Sequence, residues 1–120
     1  MLRRTHPQPA DAMPMLREKE LKKYTQVYTS DGQHLGVALR YFHRSPDEVD
    51  PGLRLYRTYL EVQGVELGGS TFIPTEYIAS YDPAANRLEL SASLEYVEDA
   101  VWNRKPDFVA RGQAVPEELP

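Results

Sequence analysis

The three histidines are the first residues to consider for metal or acid–base chemistry. They are His6, His34 and His43, and no two of them have the i, i+4 spacing with which one helix face holds a metal ion. The chain has no cysteine that could complete such a site. We therefore predict no metal site and interpret these side chains as ordinary surface histidines.

Nucleophilic catalysis has a similarly weak basis in the sequence. A triad can be written from Ser70, His34 and Asp82, but the chain lacks the G-x-S-x-G turn that exposes a catalytic serine. The run Gly68-Gly69-Ser70 lacks the following lysine and helix start of a phosphate-binding loop. We predict no catalytic residue, no bound cofactor and no enzymatic activity.

Carboxylates cluster in a proline-containing loop and on a predicted helix. They are Asp47, Glu48 and Asp50 in the loop, and Glu95, Glu98 and Asp99 on the helix. The loop lacks the alternating acids and distal glutamate of a calcium-binding loop. We interpret both clusters as solvated acidic surface.

The eight tyrosines are more informative about function. Exposed tyrosine is favoured at protein interfaces, because it buries a large area at a low cost in conformational entropy. The rim of a small β-barrel is also rich in tyrosine, so both interpretations stay open. The residues that we predict to bind a partner are Tyr41, Arg54, Tyr56, Arg57, Tyr59 and Trp102.

Arginines near these tyrosines define the alternative function. Arg40, Arg54 and Arg57 could contact RNA by stacking and by binding phosphate. Residues 1–23 form a basic arm, with six Lys or Arg against three acids. Residues 24–112 carry eight Lys or Arg against thirteen acids, and this acidity argues against nucleic acid as the partner. An RNA- or ribosome-associated factor is therefore the second hypothesis.

The elements that must position these residues are mainly strands. Residues 24–29, 35–42, 53–65, 71–81 and 88–92 combine β-branched or aromatic residues with period-two alternation. Asp31-Gly32 predicts a hairpin turn after the first run. In the second run we predict that Leu35, Val37, Leu39 and Tyr41 share one face. The phase of the third run predicts a bulge near Arg57-Thr58.

A proline interrupts the run TFIPTEYI at residues 71–78. Because proline cannot donate to a sheet ladder, Pro74 predicts a structural joint between two short strands that closes a barrel. After the strands, Leu94, Val97 and Val101 have helical spacing, and Ser93 is placed to cap that helix. We predict that Trp102 packs as a plug over one open end of the barrel.

The termini are predicted to lie outside this body. We divide the chain into a flexible basic arm at 1–23 with a possible short helix, a domain at 24–110 and a flexible tail at 111–120. The absence of cysteine fits a reducing compartment, so we expect a cytoplasmic protein. No apolar run approaches the roughly 20 residues that span a bilayer, so we expect no membrane insertion.

The order of these features resembles the PRC-barrel domains. The resemblance rests on residues 31–37 (DGQHLGV), 59–62 (YLEV), 68–78 (GGSTFIPTEYI) and 87–90 (RLEL). Residues 95–108 (EYVEDAVWNRKPDF) look like the tail of an uncharacterised bacterial branch of that family. The resemblance covers about residues 24–108.

This resemblance implies a mainly β fold, a small β-barrel of about six short strands with a C-terminal helical turn. It also implies a domain that binds other proteins and is not a catalyst. Its motif consists of fold residues, so no functional residue is carried over. We therefore expect an adaptor module whose partner is another protein or a second copy of itself, in a possible homodimer.

Overall fold

The computed structural model describes residues 11–45, 56–64 and 69–120. Its elements are α1 (Met13–Lys19), β1 (Gln26–Tyr28), β2 (His34–Arg44), β3 (Thr58–Gln63), β4 (Ser70–Pro74), a 3-10 turn (Thr75–Tyr77), β5 (Ile78–Asp82), β6 (Arg87–Leu90), α2 (Leu94–Asp99), α3 (Asp107–Ala110) and β7 (Ala114–Glu118). The fold is mainly β, as predicted.

The seven strands of the described residues belong to one sheet. The order is β4-β3-β2-β1-β6-β5, and β7 pairs with β2. The pairs are antiparallel except β1 with β6, which is parallel. The long strand β2 pairs with β3 along one edge. Its other edge is shared by β1, opposite residues 34–37, and β7, opposite residues 40–44.

The prediction of a closed barrel of about six strands is wrong. The described residues form an open sheet of seven strands, with β4 and β5 at its two ends. The chain after β6 meets β4 and the 3-10 turn. The backbone N–H of Phe72 in β4 donates to the carbonyl oxygen of Trp102 at 2.7 Å, and that of Ser91 donates to Tyr77 at 2.8 Å. The chain after β6 therefore makes hydrogen bonds with backbone groups that strand pairing could have used in a closed barrel.

The joint at Pro74 is confirmed. Pro74 is the last residue of β4, the 3-10 turn follows at once, and β5 begins at Ile78. Pro74 is also at the edge of the sheet, where its missing N–H removes no ladder bond. The joint connects the two end strands without closing the sheet.

The face predicted for the second run is wrong over its first half. Gly36 and Ala38 are buried, whereas Leu35, Val37 and Leu39 are only half-buried. The register of β2 against β3 shifts between Ala38 and Arg40. An extra residue reverses the side-chain phase, so Tyr41 returns to the buried face. The bulge predicted near Arg57-Thr58 concerned the third run: β3 begins at Thr58, and Leu53 and Leu55, on whose phase that prediction depended, lie outside the described residues.

The sheet is covered on both faces. The main core lies on the face of Leu60 and Val62 and includes residues from every strand except β7. Side chains that alternate with these in β2–β4 form a second, aromatic cluster. In this cluster Phe42 packs on Phe72 at 6.1 Å, and Tyr59 packs on the buried Phe108 of α3 at 5.7 Å between ring centroids.

Both ends of the described chain pack onto this body. A helix was predicted within 15–23, and α1 forms at Met13–Lys19, where it places Leu16 in the core. Arg17 makes a bidentate ion pair with Glu117. The prediction that 111–120 is a flexible tail is wrong, because β7 pairs with β2 and Leu119 is buried.

The helix predicted after the last strand forms as α2. The Ser93 hydroxyl accepts a hydrogen bond from the Tyr96 N–H at 3.1 Å, which confirms the predicted cap. The fold does not finish there, however. The chain continues through α3 into β7, so the domain ends on a strand and the predicted C-terminal helical turn is wrong.

Among the described residues, no helix combines the length and the apolar character needed to cross a membrane.

Candidate protein-binding surface

Four aromatic side chains meet where the 3-10 turn, α2 and the chain before β3 come together. The Trp102 ring lies 4.8 Å from Tyr77 and 5.6 Å from Tyr96, measured between centroids. Tyr56 meets Tyr77 edge to face at 6.0 Å. We call Tyr56, Tyr77, Tyr96 and Trp102 the aromatic surface.

Local sequence determines how each ring is presented. Pro74 ends β4 and starts the turn that carries Tyr77. Ser93 fixes the start of α2, because its hydroxyl oxygen accepts a hydrogen bond from the N–H of Tyr96 itself. Trp102 is held by its own carbonyl, which accepts the Phe72 N–H. The rings are therefore mounted on backbone that is tied to the sheet, which limits the entropy that binding would cost.

The three tyrosine hydroxyls form a chain. The Tyr56 and Tyr77 oxygens are 3.2 Å apart, and so are the Tyr77 and Tyr96 oxygens. The hydrogen bond with Tyr56 raises the pKa of Tyr77, and the hydrogen bond with Tyr77 raises the pKa of Tyr96. The phenols of Tyr77 and Tyr96 thus stay neutral at physiological pH, and the three hydroxyl groups lie beside an apolar ring system.

Part of this cluster is open to solvent. Trp102 is only 8% exposed, whereas Tyr96 is 48% exposed and the adjacent Val101 is 46% exposed. A buried tryptophan bordered by exposed apolar side chains is typical of the centre of a protein interface.

Glu76 lies next to Tyr77 in the same turn. Burial raises the pKa of its carboxyl group, and its Oε1 has no hydrogen-bond partner within the described part of the chain. Its charge also acts on the phenols of Tyr59 and Tyr77, in each case as a smaller cause of a raised pKa. A desolvated acceptor therefore lies within electrostatic range of the rings.

The structure brings together some of the residues predicted to bind a partner. Tyr56 and Trp102 belong to the aromatic surface. Tyr59 contacts Tyr56 at 6.0 Å, but it packs inward against Phe108. Arg57 is exposed beside Tyr56. Arg54 lies outside the described residues.

Tyr41 does not belong to this surface. It is 2% exposed and part of the main core, and burial raises the pKa of its phenol. Conversely, Tyr77 and Tyr96 belong to the aromatic surface although neither was predicted to bind a partner. Tyr77 lies in the turn that follows Pro74, and Tyr96 lies in the helix that Ser93 caps. Both local structures were predicted, but the contact between the two rings joins segments that are far apart in the sequence.

Three basic side chains proposed for RNA contact are held by carboxylates of the chain itself. Arg40 pairs with Glu61 and with Glu118, and the ion pairs raise the pKa of its guanidinium. In the basic arm, Arg17 is held by Glu117 and Lys23 by Glu118. These cations are already neutralised by carboxylates, so they offer less charge to phosphate.

The residues of the hypothetical triad have separate partners. Ser70 donates to the Glu61 carboxylate at 2.7 Å, and Asp82 accepts from backbone N–H groups in the β5–β6 turn. The His34 ring packs on Tyr28. His34 and Ser70 line an open cleft of about 890 Å³, but the described residues contain no hydrogen bond between any two of the three.

The described residues contain no group of three or more His, Asp or Glu side chains that could hold a metal ion. The acidic loop at Asp47, Glu48 and Asp50 lies outside the described residues.

Comparison of the chain with family models, with curated proteins and with solved structures gives no match. The resemblance to PRC-barrel domains therefore has no support from these comparisons and stays a prediction.

Proposed function

We propose that this protein is a non-enzymatic, cytoplasmic interaction module that binds another protein through the aromatic surface. The observation that carries the proposal is the exposed edge of a rigid ring cluster. Tyr96 extends outward from a buried Trp102, and a chain of phenol hydroxyls connects it to Tyr56. Aromatic side chains of this kind supply much of the binding energy in protein interfaces.

The cytoplasmic assignment rests on the absence of cysteine from all 120 residues. The adaptor role, and descent from PRC-barrel domains, rest on the order of sequence features. The rings support the same role independently, because they offer contact area and hydroxyl groups to a partner.

RNA association stays the alternative. Of the strand arginines in that hypothesis, Arg40 is paired and Arg54 is outside the described residues. The side chain of Arg57 is exposed and could still contact phosphate.

The test is affinity isolation of the full chain from the cells that express it, at high salt and with nuclease. It compares the wild type with Tyr96→Ala and Tyr24→Ala. Tyr24 is a matched control, because it is 59% exposed and has no ring contact with the aromatic surface. We expect wild type and Tyr24→Ala to retain the same protein. Tyr96→Ala should lower its recovery roughly tenfold, as loss of an aromatic hot spot does.

Equal recovery with Tyr96→Ala and Tyr24→Ala would contradict the assignment of this surface. Recovery of ribosomal material that disappears with nuclease or salt would replace the proposal with the RNA alternative, since phosphate contacts weaken steeply with salt.

A further inference from the structure

We propose that Glu76 is a proton-binding switch, whose protonation strengthens the attachment of the chain before α1 to the 3-10 turn. The switch belongs to the chain itself and does not depend on what the aromatic surface binds. It is formed by two carboxyl groups, those of Asp11 and Glu76, which meet at this turn in very different surroundings.

Asp11 is attached to the turn by hydrogen bonds. The Thr75 hydroxyl donates to Asp11 Oδ1 at 2.7 Å, and the Met13 N–H donates to the same oxygen at 3.0 Å. The Ala12 N–H donates to the Thr75 carbonyl at 3.3 Å. Because Thr75 is fully buried, these contacts fix the chain before α1 against the turn that joins β4 to β5.

Glu76 directly follows Thr75, but its carboxyl group is less well supplied with donors. Its Oε1 is shielded from solvent and has no hydrogen-bond partner within the described residues. None of the ion pairs in this part of the chain includes Glu76. A carboxylate oxygen without water or a donor is costly, and protonation of the carboxyl group removes most of that cost.

The groups around the turn do not compensate the charge of Glu76. They are Asp11 from the chain before α1, Tyr59 from β3, Arg44 from β2, Tyr77 from the turn itself and Tyr96 from α2. The three phenols have raised pKa values and are neutral at physiological pH. Arg44 acts on Tyr59, and its Nε donates to the Tyr56 carbonyl at 3.0 Å.

The pKa of Glu76 agrees with this geometry. Burial is the largest cause of its rise above the ordinary value, and the like charge of Asp11 raises it further. A hydrogen bond from the N–H of Glu76 itself acts in the opposite direction and offsets the rise only in part.

The attachment of the chain before α1 should therefore depend on pH. Above its raised pKa, Glu76 is ionised beside Asp11, and the folded protein bears that cost. As pH falls through this pKa towards the ordinary 4.5, Glu76 takes up a proton and the cost disappears. Glu117 does not produce this response, because its pKa is about 2 and its contribution is lost only below 4.5. Mildly acidic pH thus strengthens the attachment.

The test is amide hydrogen exchange of the full chain at pH 5 and pH 7.5, with each rate compared with that of an unstructured chain at the same pH. The Ala12 N–H reports on the attachment, because it donates to Thr75. In the wild type, protection of this amide should be at least about twofold higher at pH 5 than at pH 7.5.

Three variants identify the group that is responsible. Glu76→Gln cannot ionise and should lose the pH dependence. Asp11→Asn keeps an acceptor oxygen but removes the like charge, so it should weaken the dependence without abolishing it. Glu18→Gln, at an exposed position on α1, is the matched control and should behave as the wild type does.

Carbon-13 NMR of the Glu76 carboxyl group in the wild type is a second measurement that needs no variant. We expect this carboxyl group to titrate above the ordinary 4.5. A midpoint at or below 4.5, or a pH dependence of Ala12 protection that Glu76→Gln retains, would overturn the inference.

Discussion

Trp102 shows how one residue connects the sheet to the surface. Its ring contacts Tyr77 and Tyr96, and its carbonyl satisfies the edge N–H of Phe72. We expect Trp102→Ala to lower the free energy of unfolding by about 3–5 kcal/mol, the range for removal of a buried large aromatic ring. Urea unfolding followed by circular dichroism measures this. A Trp102→Ala variant as stable as the wild type would show that the indole does not support the fold.

Gly36 is required by close backbone approach. Its φ is +153°, and a Cβ at this position would lie 2.0 Å from the carbonyl oxygen of Gln63. Because that atom belongs to the backbone of β3, it cannot move aside. We expect Gly36→Ala to cost about 3 kcal/mol or more. The control is Gly69→Ala, where a Cβ meets nothing within 4 Å. Equal thermal stability of the two variants would contradict this account.

At the scale of elements, a charged network ties the ends of the chain to β2. Glu117 of β7 accepts from Arg17 of α1 and lies 2.8 Å from His43 Nε2 of β2. The hydrogen bond from Arg17, helped by His43, lowers the pKa of Glu117 from its ordinary 4.5 to about 2. A carboxyl group with a lowered folded pKa stabilises the fold above its unfolded pKa, and the effect is lost on acidification.

We therefore expect Glu117→Gln to be less stable than the wild type at pH 7. The difference should shrink as pH falls from about 4.5 to about 2, where the wild-type carboxyl becomes protonated. Because both partners are partly exposed, we expect about 1 kcal/mol or less. Urea midpoints at several pH values measure this, and a difference that does not change with pH would show that the loss is not ionic.

Helix α1 also packs onto the sheet through contacts with residues far along the chain. Leu16 is 1% exposed, whereas Glu18 of the same helix is exposed. We expect Leu16→Ala to cost about 2–5 kcal/mol, because it leaves a cavity against the sheet. Glu18→Ala should change stability by less than about 0.5 kcal/mol. Similar unfolding midpoints for the two variants would mean that α1 contributes little to the core.

Local signals account for the parts of this fold that the sequence predicted. Pro74 marked the joint between β4 and β5, and Ser93 marked the start of α2, because backbone geometry and capping act within a few residues. The docking of α1, the pairing of β7 with β2 and the parallel pair β1–β6 depend on partners far along the chain. No pattern within one segment specifies such partners.

At the scale of the whole molecule, the candidate site also contains some residues that the sequence predicted and some that only the fold brings together. Tyr56 and Trp102 were predicted from residue type, whereas Tyr77 and Tyr96 join them only through the folded sheet. Tyr41, predicted at the surface, is instead turned into the core after the irregularity at Leu39. Residue type therefore predicted a tyrosine-rich surface, and the tertiary fold decides which tyrosines belong to the aromatic surface.

The measurement that tests the central claim most directly is photo-crosslinking in cells with Tyr96→p-benzoylphenylalanine, and with Tyr24→p-benzoylphenylalanine as the control. Both positions are exposed, so both probes report on what lies near them. We predict a discrete crosslinked protein from position 96 and none from position 24. No crosslink at position 96, or the same products from both positions, would contradict the aromatic surface as a binding site.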